Sequence, residues 1–263
     1  MENKKYELLS EQSINVSGCV LYRIRALRDF GDVKAGELGG YIQSEHNLSH
    51  NGLCWIADNA EIFGNAKVSG NALVFGNAKI LGSAWVFGSA EVFENALVFE
   101  NAKISGKATV FGSAKVLGNA WAFENTWVYG NALIFGNAKV SGNAKVSGNV
   151  KVLGNACVFG NTWVYENALV FENAKVSENA LIFGSAKVFE NALIFGNATV
   201  YGNAEVRGKA KVFENAKVFG NATVYGNAEV CGKAKISDVR VLWKMASGYY
   251  PRFFYFDILL SCL

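Results

Sequence analysis

A six-residue rhythm limits what this chain can become more than any other feature. Stepping by six from Ile56 reaches Ile62, Val68, Val74 and onward to Ile236, thirty-one positions without an insertion, all Val or Ile except Ala122. Four residues after each aliphatic stands a small residue, Ala60 to Ala234, replaced only by Thr126, Val150 and Thr162. That small residue lies two before the next aliphatic, and strand side chains alternate sides, so the two share one face. Lysine often separates them, as Lys67 does before Val68, and marks the other face as the solvated one. The spacing therefore predicts an interior of Val/Ile and Ala.

Between the strands lies a two-residue corner, usually Gly-Asn, otherwise Glu-Asn, Gly-Ser or Gly-Lys. Glycine reaches positive φ freely and asparagine tolerates it, so either member of the pair can turn the chain. A period of six is too short for helical repeats and suits stacked coils of parallel strands. Composition agrees: the 28 glycines serve corners, and a single proline, Pro251, leaves the strands their N–H donors.

The run "V-x-G-N-A-x" over 56–236 resembles the hexapeptide repeat of left-handed β-helix proteins, in which three hexapeptides make one triangular coil. The resemblance implies an all-β fold, a single-stranded left-handed parallel β-helix of about ten eighteen-residue coils. Glycine falls two residues after the aliphatic, where the common pattern has it one after, which implies a different corner. Residues 1–55 break the rhythm and read as an N-terminal β cap, with Val20, Tyr22 and Ile24 facing one way and Arg23 and Arg25 the other. Residues 237–263 read as a short C-terminal cap or tail. The stretch Tyr22–Ala60 is similar to the start of YdcK-type hexapeptide proteins of bacteria and their phages, some labelled as acetyltransferases and others as polymer-forming.

The outward position after each aliphatic is often aromatic. One column runs Phe75, Phe93, Phe111, Tyr129, then Tyr165, Phe183, Tyr201, Phe219. Such a flank reads as a self-association surface as well as an inter-coil stack. A homo-oligomer or another protein is thus the expected partner. The net charge of +3, from 25 basic and 22 acidic residues, points to no nucleic acid. The lysine column Lys67, Lys103, Lys139, Lys175, Lys211 reads as a solvating edge.

Five scattered cysteines without a CxxC pair read as reduced thiols, and no secretory signal or membrane span is visible, so a cytoplasmic protein is expected. No phosphate-binding loop occurs, and no cofactor or metal is expected. Hexapeptide acyltransferases, as a family, use a histidine base, and carbonic anhydrases of this fold use three histidines on a metal. Only two histidines exist, His46 and His50, beside Glu45 in "SEHNLSH", and none lies in 56–236. A zinc site from these and Cys54 is conceivable, but polar residues of a cap turn describe them better. The sequence thus favours a non-enzymatic scaffold rod, with a hexapeptide acyltransferase-like enzyme as the alternative and Glu45, His46 and His50 as its only catalytic candidates.

Overall fold

The computed structural model describes residues 4–242, in two compact units, Met1–Gly142 and Asn143–Leu263. The first unit opens with three long strands, β1 (Tyr6–Val16), β2 (Cys19–Ala26) and β3 (Leu38–Ile42), paired antiparallel in that order. β3 then joins the repeats, pairing in parallel with Glu61–Ile62. This strand converts an antiparallel cap into a parallel coil. Gly39 and Gly40 permit the approach: a Cβ on Gly39 would lie 2.5 Å from the Ile56 carbonyl oxygen, and one on Gly40 2.6 Å from that of Ala60. Tyr6, Leu21, Ile24 and Ile42 are buried and seal the foot of the first coil.

The expected alternation in β2 is displaced. Val20 is exposed, while Leu21 and Ile24, three apart, are buried. The pairing with β3 shifts register between Arg23 and Arg25, and a bulge of this kind moves side chains from one face to the other.

The repeats form as the rhythm predicts. In the first unit three parallel sheets each hold five two-residue strands, and each residue pairs with the one eighteen later, as Lys67 does with Trp85. In the second unit Lys145 pairs with Trp163 in the same way. A strand this short has too few bonds to stand alone, so its stability comes from the coils above and below. The Ser69 amide donates to the Val86 carbonyl at 3.0 Å, and the pattern recurs along both units. Every Val, Ile and Ala of the rhythm from Ile56 to Val230 is buried. The repeat also runs one strand past Ile236. Arg240–Val241 pairs with Thr223–Val224 seventeen residues earlier, a one-residue deletion that conceals it from a six-residue count. Most of the C-terminal cap expected over 237–263 lies outside the described residues.

The corners assign different tasks to their two residues. The first residue alone takes positive φ: Gly64 is at 69°, and glutamates occupy the same position, Glu94, Glu100 and Glu124 at 58–65°. Asparagine is not the turning residue. Its amide builds ladders between coils, as in Asn101 Nδ2 donating to Asn119 Oδ1 at 3.2 Å and Asn149 to Asn167 at 3.0 Å. Glu124, Glu166, Glu178 and Glu214 have a compensating contact, because their carboxylates accept the corner N–H of the next coil, as from Gly142 to Glu124 at 2.5 Å and from Gly196 to Glu178 at 2.9 Å.

The aromatic columns lie on the outside, half-buried by their own neighbours. Phe75, Phe93, Phe111 and Tyr129 stack in sequence with centroids 4.7–5.0 Å apart and planes within 8°. In the second unit Tyr165, Phe183, Tyr201 and Phe219 do the same at 4.9–5.1 Å.

Candidate functional site

The histidine segment leaves β3 and crosses the foot of one sheet. Glu45–Asn47 form a single 3-10 turn, after which Leu48 pairs in parallel with Val68. Asn47, fully buried, holds this turn to the first coil. Its Nδ2 donates to the carbonyls of Gly64 and Ala66 at 3.1 and 2.8 Å, and its Oδ1 accepts the Ser44 N–H at 3.0 Å. Gln43 adds a bond from the Gly64 N–H at 2.8 Å. The turn is thereby fixed next to Lys67 and Trp85, outward residues of the same sheet.

The two histidines differ in what their nitrogens can do. His50 stacks on Tyr6 with centroids 4.3 Å apart, and its Nδ1 accepts the Lys5 backbone N–H at 3.2 Å. The proton of neutral His50 therefore sits on Nε2, which faces Glu45 Oε2 at 3.8 Å. With its lone pair already committed to a backbone donor, His50 makes a poor base.

His46 has the opposite arrangement. Its Nε2 lies 3.3 Å from Asn47 Nδ2, a group that can only donate, so a proton on Nε2 would face another donor. Nδ1 sits 2.5 Å from Ser44 Oγ, which can accept. With Ser44 Oγ as the acceptor, the proton sits on Nδ1 and the Nε2 lone pair stays basic. Asn47 already spends its two hydrogens on carbonyls, so its claim on that lone pair is weak. His46 is exposed and lines two adjoining open surface clefts of about 410 and 400 Å³. One is walled by Asn65, Lys67, Ser83 and Trp85, the other by Glu45, Leu48, Ser49 and His50, with Lys67 and Trp85 common to both.

Charged groups around the turn are partnered. Lys4 Nζ lies 2.7 Å from Glu45 Oε1 and holds that carboxyl below its usual range. Lys5, fully buried, donates to the Cys54 carbonyl at 2.7 Å and lies 3.2 Å from its sulfur. Burial lowers the lysine pKa and raises that of the Cys54 thiol. Tyr6 Oη donates to the Leu48 carbonyl at 2.7 Å, and burial pushes its pKa up. Trp55 is buried against Phe30, edge to face at 5.4 Å, as cap packing. Among the described residues no cluster of three or more His, Cys, Asp and Glu could hold a metal. The structure thus brings Glu45, His46 and His50 together, and with Ser44 accepting from Nδ1 it is His46 that keeps an uncommitted lone pair. Ser44, Asn47 and Trp85 complete the site. Ser44 bonds its near neighbours His46 and Asn47, whereas the carbonyls that pin Asn47 and the Ser69 hydroxyl that holds Trp85 lie about one coil away and leave no local signal.

No family model matches the chain. Over 71 residues it is 44% identical to the uncharacterized acetyltransferase YdcK of Escherichia coli (strain K12), a stretch that is 24% of this chain and 22% of that protein. The chain thus spans about a fifth of the curated relative it matches. A solved UDP-N-acetylglucosamine acyltransferase of Arabidopsis superposes with a TM-score of 0.41 at 15% identity, over 72% of this chain and 70% of that one. No helix among the described residues is long and apolar enough to cross a membrane. The name of the matched relative overturns one expectation. The chain read as a non-enzymatic scaffold is similar to a protein named as an acetyltransferase. The repeats form a hexapeptide β-solenoid that resembles YdcK.

Proposed function

We propose that the chain is a hexapeptide acyltransferase whose general base is His46. The observation that supports this reading is the setting of the imidazole, with Nδ1 2.5 Å from Ser44 Oγ as its acceptor and the ring at the wall of two clefts. In this reading an acceptor hydroxyl or amine attacks the carbonyl carbon of an acyl thioester. His46 Nε2 takes the acceptor's proton as the new C–O or C–N bond forms. The C–S bond then breaks and the imidazolium returns the proton to the leaving thiolate. Lys67, exposed beside His46, offers a positive charge to an anionic donor such as acetyl-CoA. The name of the YdcK relative supports the class of reaction.

The test is release of free thiol from acetyl-CoA by the whole chain, with a panel of amine and hydroxyl acceptors. The reading expects acceptor-dependent release that falls about 10²- to 10⁴-fold in His46→Ala, the usual worth of a positioned base, and survives His50→Phe. Undiminished release by His46→Ala, or none from wild type with any acceptor, overturns it.

The same reading includes a cytoplasmic location and a homo-oligomer. Four free cysteines among the described residues, Cys19, Cys54, Cys157 and Cys231, support a reducing compartment. Exposed Phe135 and Phe159, 44% and 40% accessible, support self-association. Light scattering that returns the monomer mass at all working concentrations removes the oligomer from the proposal.

A further inference from the structure

One outward face of the first unit differs from its neighbours. Along the sheet that begins at Lys67, the outward residues alternate Lys67, Trp85, Lys103, Trp121, Lys139, each pairing with the next. The indoles repeat a single geometry. Trp85 Nε1 donates to Ser69 Oγ at 3.0 Å and Trp121 Nε1 to Ser105 Oγ at 2.9 Å. Each ring also leans on the aromatic two residues on, Phe87 at 4.3 Å and Phe123 at 4.5 Å, with planes tilted by 33° and 36°. Indoles held in this way are rigid platforms whose ordering cost is already met. Trp85 nevertheless remains 40% exposed.

Along its strand positions the charge on this face is one-sided, although Glu100 and Glu124 stand at its flanking corners. No acidic residue occupies an outward strand position there, and Lys67, Lys103 and Lys139 are exposed with no ion pair among the described residues. Some lysines elsewhere are paired, Lys79 with Glu61 at 2.7 Å and, in the second unit, Lys211 with Glu229 at 3.1 Å. The corresponding sheet positions of the second unit are Cys157, Lys175, Leu193, Lys211 and Glu229, with no indole. Within the first unit this alternation of lysine and pinned indole occurs on this sheet; in the second unit a lysine and an indole also meet, Lys145 Nζ lying 4.6 Å from the Trp163 ring centre.

We infer that this face binds an acidic polysaccharide, with sugar rings stacked on Trp85 and Trp121 and their carboxylates at Lys67, Lys103 and Lys139. The platforms stand two coils apart, roughly 9–10 Å at the usual strand spacing, about the length of a disaccharide. The flat C–H face of a pyranose suits an amphipathic indole whose N–H is already satisfied. A single-stranded nucleic acid fits less well. It carries a phosphate at every nucleotide and favours successive stacking partners, whereas here the cations are sparse and every second position lacks a ring. The face shares Lys67 and Trp85 with the proposed acyl-transfer site, but the inference concerns binding alone, and its test reads binding without turnover.

The test uses the whole chain with polygalacturonate as probe, neutral dextran and oligo(dT) as comparisons, and calorimetry at two salt concentrations. Polygalacturonate is expected to bind and dextran not to. Trp85→Ala and Trp121→Ala should each weaken binding about tenfold, from loss of roughly 50 Å² of covered apolar ring. A Lys67→Ser, Lys103→Ser, Lys139→Ser variant should flatten the salt dependence, while Trp163→Ala in the second unit leaves binding intact. Circular dichroism confirms that each variant keeps its strands. Absence of polygalacturonate binding by wild type, tighter binding of oligo(dT), or indifference to both tryptophan changes overturns the inference.

Discussion

Replacing Glu178 separates two opposing forces at a corner. Its backbone sits at φ 63°, a conformation that costs a residue with a Cβ about 1–2 kcal/mol relative to glycine. Its carboxylate accepts the Gly196 N–H at 2.9 Å, a bond worth about 0.5–1.5 kcal/mol, with the lower end apt for an exposed site. Glu178→Gly removes strain and bond together and should shift stability by less than about 1 kcal/mol. Glu178→Ala keeps the strain and loses the bond, so it should fall about 1–2 kcal/mol below the glycine variant. Urea denaturation by circular dichroism, with unchanged slope, measures the order. Amide exchange at Gly196 should quicken in both variants. An alanine variant as stable as the glycine variant would refute the balance of strain and bond.

Further perturbations probe the core and the cap. Thr162 is buried and its hydroxyl has no hydrogen-bond partner among the described residues, so Thr162→Val should stabilise by about 1–3 kcal/mol, seen as a higher denaturation midpoint; a lower midpoint contradicts this. The Glu45 carboxyl is held below its usual range, first by its bond to Lys4. Its folded pKa lies under the unfolded one, so its contribution is present above about pH 4.3 and is lost as pH falls through the folded value. Glu45→Gln should thus melt below wild type at pH 7 and match it at pH 2; a gap that persists in acid disproves the linkage.

Much of the fold was legible because one period governs it. The two-residue spacing of Ala66 and Val68 shows which face is inside, and both are buried. Where the period breaks, so does legibility. Val241 completes a strand five residues after Ile236, and a one-residue deletion is enough to mask it. The corner pair was ambiguous because glycine and asparagine both tolerate positive φ; only stacking shows that asparagine makes ladders and that glutamate can turn. The histidines stood out by rarity. Their inequality could not be read, because it arises from the Lys5 amide at His50, forty-five residues away, and from Asn47 being pinned to the carbonyls of Gly64 and Ala66. The alternation of Lys67 with Trp85 is present in the letters, yet its one-sided charge emerges only when eighteen-residue neighbours are set side by side.

The central claim is that His46 presents a basic Nε2, and nitrogen-15 NMR of histidine-labelled protein tests it most directly. The chain has two histidines, so two imidazole spin systems suffice, assigned through His46→Ala. With both rings neutral the two should be opposite tautomers, Nδ1–H at His46 and Nε2–H at His50. Finding His46 as the Nε2–H form would contradict the account.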